Sequence, residues 1–233
     1  MGKTEELKKA AGVKAVDFVR AGMLVGLGTG STAEFAIEEL SKRIRDGRLS
    51  DISCVPSSER TKNFAEVMDL DLVELDSARR IDVTIDGADE IDSDFNLIKG
   101  GGGALLREKV LAQNSKRNII VADESKLSRR LGERFPVPVE VLQFALEAEK
   151  DYLESLGGEV RLRLARDGSP FLTDQGNLIV DWSFGEMDDP SFFAYRLSAR
   201  AGIVEHGLFI GTTSDVIVAF SQEVKHFVTI SDA

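Results

Sequence analysis

Apolar residues recur along this chain in two alternating rhythms. Leu7, Ala11, Ala15 and Phe18 share one face at helical spacing, and Gly22 follows as a stop. Residues 23–27 form a short apolar run that ends in Gly28-Thr29-Gly30-Ser31-Thr32. Ala33, Ala36, Ile37, Leu40 and Ile44 then mark a second amphipathic helix. Further strands are expected at 52–55, ending in Pro56-Ser57-Ser58, at 81–85, ending at Asp86, and at 118–122, ending at Asp123. Helical stretches near 61–68 and 103–114 separate them. Such alternation predicts a mainly parallel sheet with crossover helices.

After Phe135-Pro136-Val137-Pro138 the rhythm changes. Strands at 139–142, 160–164, 171–173 and 178–182, helices at 145–156 and 190–200, and a strand from Ile203 predict a small antiparallel module. Two closing strands, 216–220 and 224–230, are free to rejoin the first sheet. The expected class is α/β. A Rossmann-like, mainly parallel sheet domain spans 1–131 plus 207–233, and an inserted α+β, ferredoxin-like domain over 132–206 acts as a lid or an oligomer contact.

Composition narrows the function. A net charge of −11 over 233 residues disfavours a polyanion such as nucleic acid, so any anion must be captured locally. Cys54 is the sole cysteine, which fits a reducing compartment. Residues 1–6 lack the apolar core of a signal peptide, and no apolar run approaches the roughly 18 residues of a membrane span. A cytoplasmic chain without membrane contact is expected.

In an open parallel sheet, ligands bind beyond the carboxyl ends of the strands. Here those ends carry Thr29 to Thr32, Ser57-Ser58, Asp86 to Asp89, and Asp123 to Lys126. Gly28 to Thr32 opens a helix, so amides and hydroxyls there suit a phosphate, although a capped tight turn would read alike. A dinucleotide fingerprint fits less well, because the second strand ends without the acid it needs. Asp86-Gly87-Ala88-Asp89-Glu90-Ile91-Asp92 places four acids in seven residues, where repulsion can tune a carboxyl for proton transfer. A solvated acidic loop is the plainer reading, and magnesium on Asp86 and Asp89 is open but without specific support. An EF-hand is rejected, since Leu97 and Gly103 stand where its glycine and bidentate glutamate belong. Lys99-Gly100-Gly101-Gly102-Gly103 precedes a helix, and glycine amides beside a lysine suit an oxyanion. Glu108 by itself reads as an exposed helix acid paired with Arg107 or Lys109. His206 and His226 read as packed or surface residues, and two histidines with one cysteine make a zinc site a poor fit.

Taken together, Gly26 to Thr32, Asp86 to Glu90, Lys99 to Gly102 with Glu108, Asp123-Glu124-Ser125-Lys126 and Phe135 to Val141 resemble ribose-5-phosphate isomerase, type A. The resemblance covers nearly the whole chain. It implies an aldose–ketose isomerase of ribose 5-phosphate and ribulose 5-phosphate, with no metal or organic cofactor. It implies Glu108 as general base, with Asp86, Asp89 and Lys99 completing the catalytic group. Thr29, Gly30, Ser31, Thr32, Gly87, Ala88, Gly100, Gly101 and Gly102 are the implied substrate contacts, and Lys126 and Lys8 the basic residues near it. A homodimer or homotetramer is the implied assembly. The chemistry is consistent: one carboxylate can move a proton between adjacent carbons if donors hold the enediolate. Asp86 and Asp89 are the candidates for ring opening, and a phosphate handle on Ser31, Thr32 and a lysine would position the reacting carbons.

Overall fold

A computed structural model describes residues 2–75 and 80–229; the last position of the expected closing strand, Ile230, lies outside them. The first elements are α1 (Lys3–Ala15), β1 (Leu24–Leu27), α2 (Ser31–Arg45), β2 (Ser53–Pro56), α3 (Glu59–Val67) and β3 (Val83–Gly87). Next come β4 (Glu90–Ile91), β5 (Leu97–Ile98), α4 (Leu105–Gln113), β6 (Asn118–Asp123), β7 (Val137–Val141), α5 (Leu146–Ser155) and β8 (Glu159–Leu162). The chain closes with β9 (Leu178–Ser183), α6 (Pro190–Ser198), β10 (Ile203–His206), β11 (Leu208–Phe209), β12 (Asp215–Ala219) and β13 (Val224–Val228). These gather into two compact units interleaved in sequence: Met1–Gly87, Arg107–Lys126 and Thr212–Ala233, and Ala88–Leu106 with Leu127–Gly211.

The first unit holds a six-stranded sheet in the order β13-β12-β6-β3-β1-β2. Strands β2, β1, β3, β6 and β12 run parallel, and β13 turns back antiparallel on β12, so the closing strands do rejoin the first sheet. β1, β6 and β12 are buried along their whole length, as strands covered on both faces are. Ala11 and Ala15 of α1 and Ile37 and Leu40 of α2 pack with Val25, Val83, Ile119 and Ile217. Parallel pairing sends the ends of β1, β2, β3 and β6, with Gly28, Ser57, Gly87 and Asp123, to one edge of the sheet. Cys54 is buried on β2, and burial, helped by the nearby Asp71 charge, pushes its thiol up to about 12. It is therefore a core residue and not a nucleophile.

The second unit holds an antiparallel sheet in the order β10-β7-β9-β8, with α5 and α6 between its strands. This is a β-α-β-β-α-β unit. Trp182, Val139, Val180, Leu153 and Leu197 form its core, and the Trp182 indole donates to the Gly157 carbonyl at 2.8 Å. The strand expected at 171–173 does not form. Within it Leu172 makes an isolated bridge to Leu178 and the Phe171 amide donates to the Arg163 carbonyl at 2.9 Å. Thr173 instead closes a turn: its hydroxyl accepts from the amides of Gln175 and Asn177, and its own amide donates to the Asn177 carbonyl. Such local bonds compete with a ladder. A small ribbon, β11-β5-β4, of two-residue strands was not expected, because two residues carry no period to read.

Candidate active site

The first unit presents its candidates at the strand ends. Gly28 donates its amide to the Ile85 carbonyl at 2.9 Å, which brings the ends of β1 and β3 together. A Cβ on Gly28 would stand 2.2 Å from Asp86 Oδ1, so only glycine fits. Asp86, 2% exposed, accepts on Oδ1 from the amides of Thr29 at 3.2 Å and Gly87 at 2.7 Å. The Thr29 hydroxyl turns into a buried cluster with Ser57, Ser58 and Thr61, each within 2.9 Å. Both hydrogen-bonding groups of Thr29 thus serve the protein itself. Gly30 has φ 121°, a backbone state that favours glycine, and it releases the chain into α2. Ser31 opens that helix and is exposed, and Lys8 Nζ donates to its hydroxyl at 3.0 Å. The lysine at the loop is Lys8, not its neighbour Lys9. Thr32, the next residue of α2, is buried.

At the end of β6, Asp123 Oδ1 accepts from the amide and hydroxyl of Ser125, within the 3-10 turn Glu124–Lys126 that carries the half-buried Lys126. Glu108 lies in the first turn of α4 and is 4% exposed, so the reading of a surface helix acid is corrected. Arg107 donates to Glu59 at 2.8 Å and draws the Glu59 carboxyl below its usual range. Helical phase explains the miss: α4 also buries Leu105, Leu111 and Ala112, so Glu108 shares a covered side that its charged neighbours hide in the sequence.

The second unit carries Ala88, Asp89, Lys99 and the glycines. Asp89 donates its amide to Ile98 and accepts from the Gly101 amide on Oδ2 at 2.7 Å. Lys99 is 3% exposed; its amide donates to Gly207, and its ammonium lies 5.5 Å from the centre of the Phe209 ring. Gly100 and Gly103 take φ of 100° and 83°, and a Cβ on Gly103 would collide with the Phe171 ring at 2.5 Å. Gly102 completes the loop as an exposed residue in the turn before α4. The acids after Asp89 serve the fold. Glu90 accepts from the amides of Gly132, Arg134 and Phe135. Asp92 accepts from the amides of Asp94 and Asn96, and burial pushes its carboxyl up despite those bonds. Among the described residues, no group of three or more His, Cys, Asp or Glu side chains could hold a metal ion, and no helix is long and apolar enough to cross a membrane.

Sequence reasoning passed over Arg163. Its guanidinium donates to the carbonyls of Gly100 at 2.7 Å and Gly101 at 3.2 Å. No sequence signal marks it, since Arg161 within β8 and Arg163 just after it look alike in the sequence.

A sequence model of ribose 5-phosphate isomerase A (phosphoriboisomerase A) matches residues 53–223. The chain is 53% identical over 229 residues to a ribose-5-phosphate isomerase A of Chloroflexus aurantiacus, covering 98% of this chain and 95% of that one. It is similar to the solved structure of a D-ribose-5-phosphate isomerase in complex with phospho-erythronic acid, with TM-score 0.95 at 38% identity, over 98% of this chain and 100% of the other. It is similar also to the ribose 5-phosphate isomerase of Plasmodium falciparum, with TM-score 0.94 at 37% identity, over 97% and 100% of the two chains. On sequence and structure together, the chain belongs to the ribose 5-phosphate isomerase A family.

Proposed function

We propose that this chain interconverts D-ribose 5-phosphate and D-ribulose 5-phosphate through an enediolate, within the non-oxidative pentose phosphate pathway. Its full-length likeness to enzymes named for that substrate carries the reading. Phospho-erythronic acid, held by one of them, is a phosphorylated sugar acid whose planar carboxylate imitates an enediolate end.

Glu108 is the base: it takes the proton from C2 of the open-chain aldose and returns it to C1. Its burial keeps competing water from the carboxylate. Lys99 and the amides of Gly100 and Gly102 stabilise charge on the enediolate oxygens, where a buried cation acts in a low dielectric, while the Gly101 amide holds the Asp89 carboxylate. Asp86 and Asp89 move the protons that open the sugar ring, with Gly87 and Ala88 lining the chain between them. Lys8, Ser31, Thr32 and Gly30 hold the phosphate end, supported by the Lys8 bond to the Ser31 hydroxyl and by the free-amide end of α2, while Thr29 shapes the loop from within. Lys126 adds a second cation. No metal or organic cofactor is required for these steps.

Purified protein in EDTA should convert ribose 5-phosphate to ribulose 5-phosphate. Activity on an amino sugar phosphate with none on ribose 5-phosphate would sink the reading. Glu108→Gln should lower kcat by at least about a hundredfold while substrate affinity stays within about tenfold. Unchanged turnover would remove Glu108 from the mechanism. We also assign a cytoplasmic location and a homodimer or homotetramer, with the exposed Phe144 and Tyr195 of the second unit as candidate contact residues; light scattering tests the assembly.

A further inference from the structure

Building on the isomerase reading above, we propose that Arg163 is a positioning residue of the glycine loop. It locks two peptide units so that the Gly101 amide meets Asp89 and the Gly102 amide points away from the guanidinium. Glycine peptides turn over cheaply, and a run of four glycines is costly to order. Something must choose their orientation.

In a trans peptide the C=O and N–H point in opposite directions. The Gly100 carbonyl accepts from Arg163 Nη1 at 2.7 Å. The amide of the same peptide unit, that of Gly101, donates to Asp89 Oδ2 at 2.7 Å. The plane is therefore gripped at both edges. Turning it over would set a carbonyl oxygen against the Asp89 carboxylate and an N–H against the guanidinium, replacing two attractive contacts by two repulsive ones. The Gly101 carbonyl takes the same Nη1 at 3.2 Å, which orients the next unit as well. The Gly103 amide closes the turn on the Gly100 carbonyl at 2.9 Å. A cation on a carbonyl also polarises its peptide and strengthens the amide as a donor.

Arg163 is itself held for this task. Its Nε donates to Asp181 at 3.0 Å and Nη2 pairs with the other oxygen of that carboxylate. Its side chain is 14% exposed, and the guanidinium carbon lies 6.0 Å from the centre of the Phe171 ring. Phe171 is the ring that would meet a Cβ on Gly103. Arginine alone can fork onto a carboxylate and still present a nitrogen to two carbonyls; a lysine ammonium cannot span both.

The test compares wild type, Arg163→Ala, Arg163→Lys and Asp181→Asn on ribose 5-phosphate, with amide exchange at Gly101 followed in parallel. Arg163→Ala should lower kcat by about 30-fold with KM within about threefold. Added methylguanidinium should restore most of that rate, and the Gly101 amide should exchange at least about tenfold faster at unchanged global stability. Arg163→Lys should fold normally and show the same kcat loss, which keeps the test valid if the alanine variant fails to fold. Turnover within about twofold of wild type in either variant overturns the proposal. So does a loss that follows thermal stability and resists methylguanidinium. Wild type inactive on ribose 5-phosphate, with Gly101 exchange still responding to Arg163, would reject the isomerase reading and leave the locked loop standing.

Discussion

Asp86 and Asp89 lie three positions apart, yet the chain holds them in different ways. Asp86 ends a strand of a parallel sheet. Its oxygen takes the amides of Thr29 and Gly87, and the neighbouring strand approaches so closely that Gly28 admits no Cβ. Asp89 has left that sheet, and its carboxylate takes the Gly101 amide of a glycine loop. That loop is held by a side chain 62 positions away, Arg163. A ladder fixes strand ends without further help. A glycine loop offers function its amides but depends on a distant staple. Buried acids elsewhere differ in the same sense. In the first unit Asp215 is paired, with Arg117 at 2.6 Å and His226 at 2.6 Å. In the second, Glu140 is fully buried with neutral partners, Thr173 and Asn177, and its Oε2 has no hydrogen-bond partner among the described residues.

The contrast can be broken at four places. Gly28→Ala should have the largest effect, because its Cβ would stand 2.5 Å from the Asp86 Cα as well as on the carboxylate. Backbone has to shift, and a loss of about 3 kcal/mol or more is expected in urea unfolding. A variant as stable as wild type would show that the strand-end half is not rigid. Asp215→Asn should destabilise by about 2 kcal/mol, discounted because the Arg117 side chain is 40% exposed. Arg117 and His226 hold the Asp215 carboxyl below its usual range although burial alone would raise it. A depressed carboxyl contributes stability above its unfolded value, near pH 4, and loses it as pH falls through the folded value. The gap between variant and wild type should accordingly close on acidification; a gap constant from pH 7 to pH 3 would refute the pairing.

Gly101→Ala should act mainly on turnover. Its Cβ would meet the Asp89 carboxylate at 2.7 Å, but that is the movable end of a side chain. About a tenfold fall in kcat is expected, with Tm within about 3 °C of wild type. If folding is lost instead, the two halves are equally rigid. Glu140→Gln should be the mildest. Burial, the larger cause, and the Glu205 and Asp174 charges push the Glu140 carboxyl up despite the bonds from Asn177 and Thr173. A raised carboxyl favours the fold below its unfolded value, and that contribution is lost as pH rises through the folded value. The amide variant escapes the loss, so its advantage should grow with pH to about 1 kcal/mol near pH 8. An advantage that shrinks with pH would have the wrong sign.

The legible parts of this molecule are those written in neighbouring residues. Strand, glycine turn and helix stand in order from Met23 to Ile44, and parallel pairing then sends Thr29, Ser57, Asp86 and Asp123 to one edge. The illegible parts are set by partners far along the chain. Phe171 to Thr173 has a strand-like composition, but Thr173 closes a turn and also donates to Glu140. Glu108 sits between Arg107 and Lys109 as a surface acid would, and only the packing of α4 buries it.

The sequence by itself determined the sheet type, the chemistry-bearing strand ends and the family resemblance, because periodicity and adjacent motifs are local properties. Tertiary structure alone decided that Glu108 is buried, that the Lys8 ammonium donates to the Ser31 hydroxyl, and that Arg163 grips the glycine loop. Burial and long-range hydrogen bonds depend on which surfaces meet after the chain has turned back on itself, and no window of neighbouring residues contains that information.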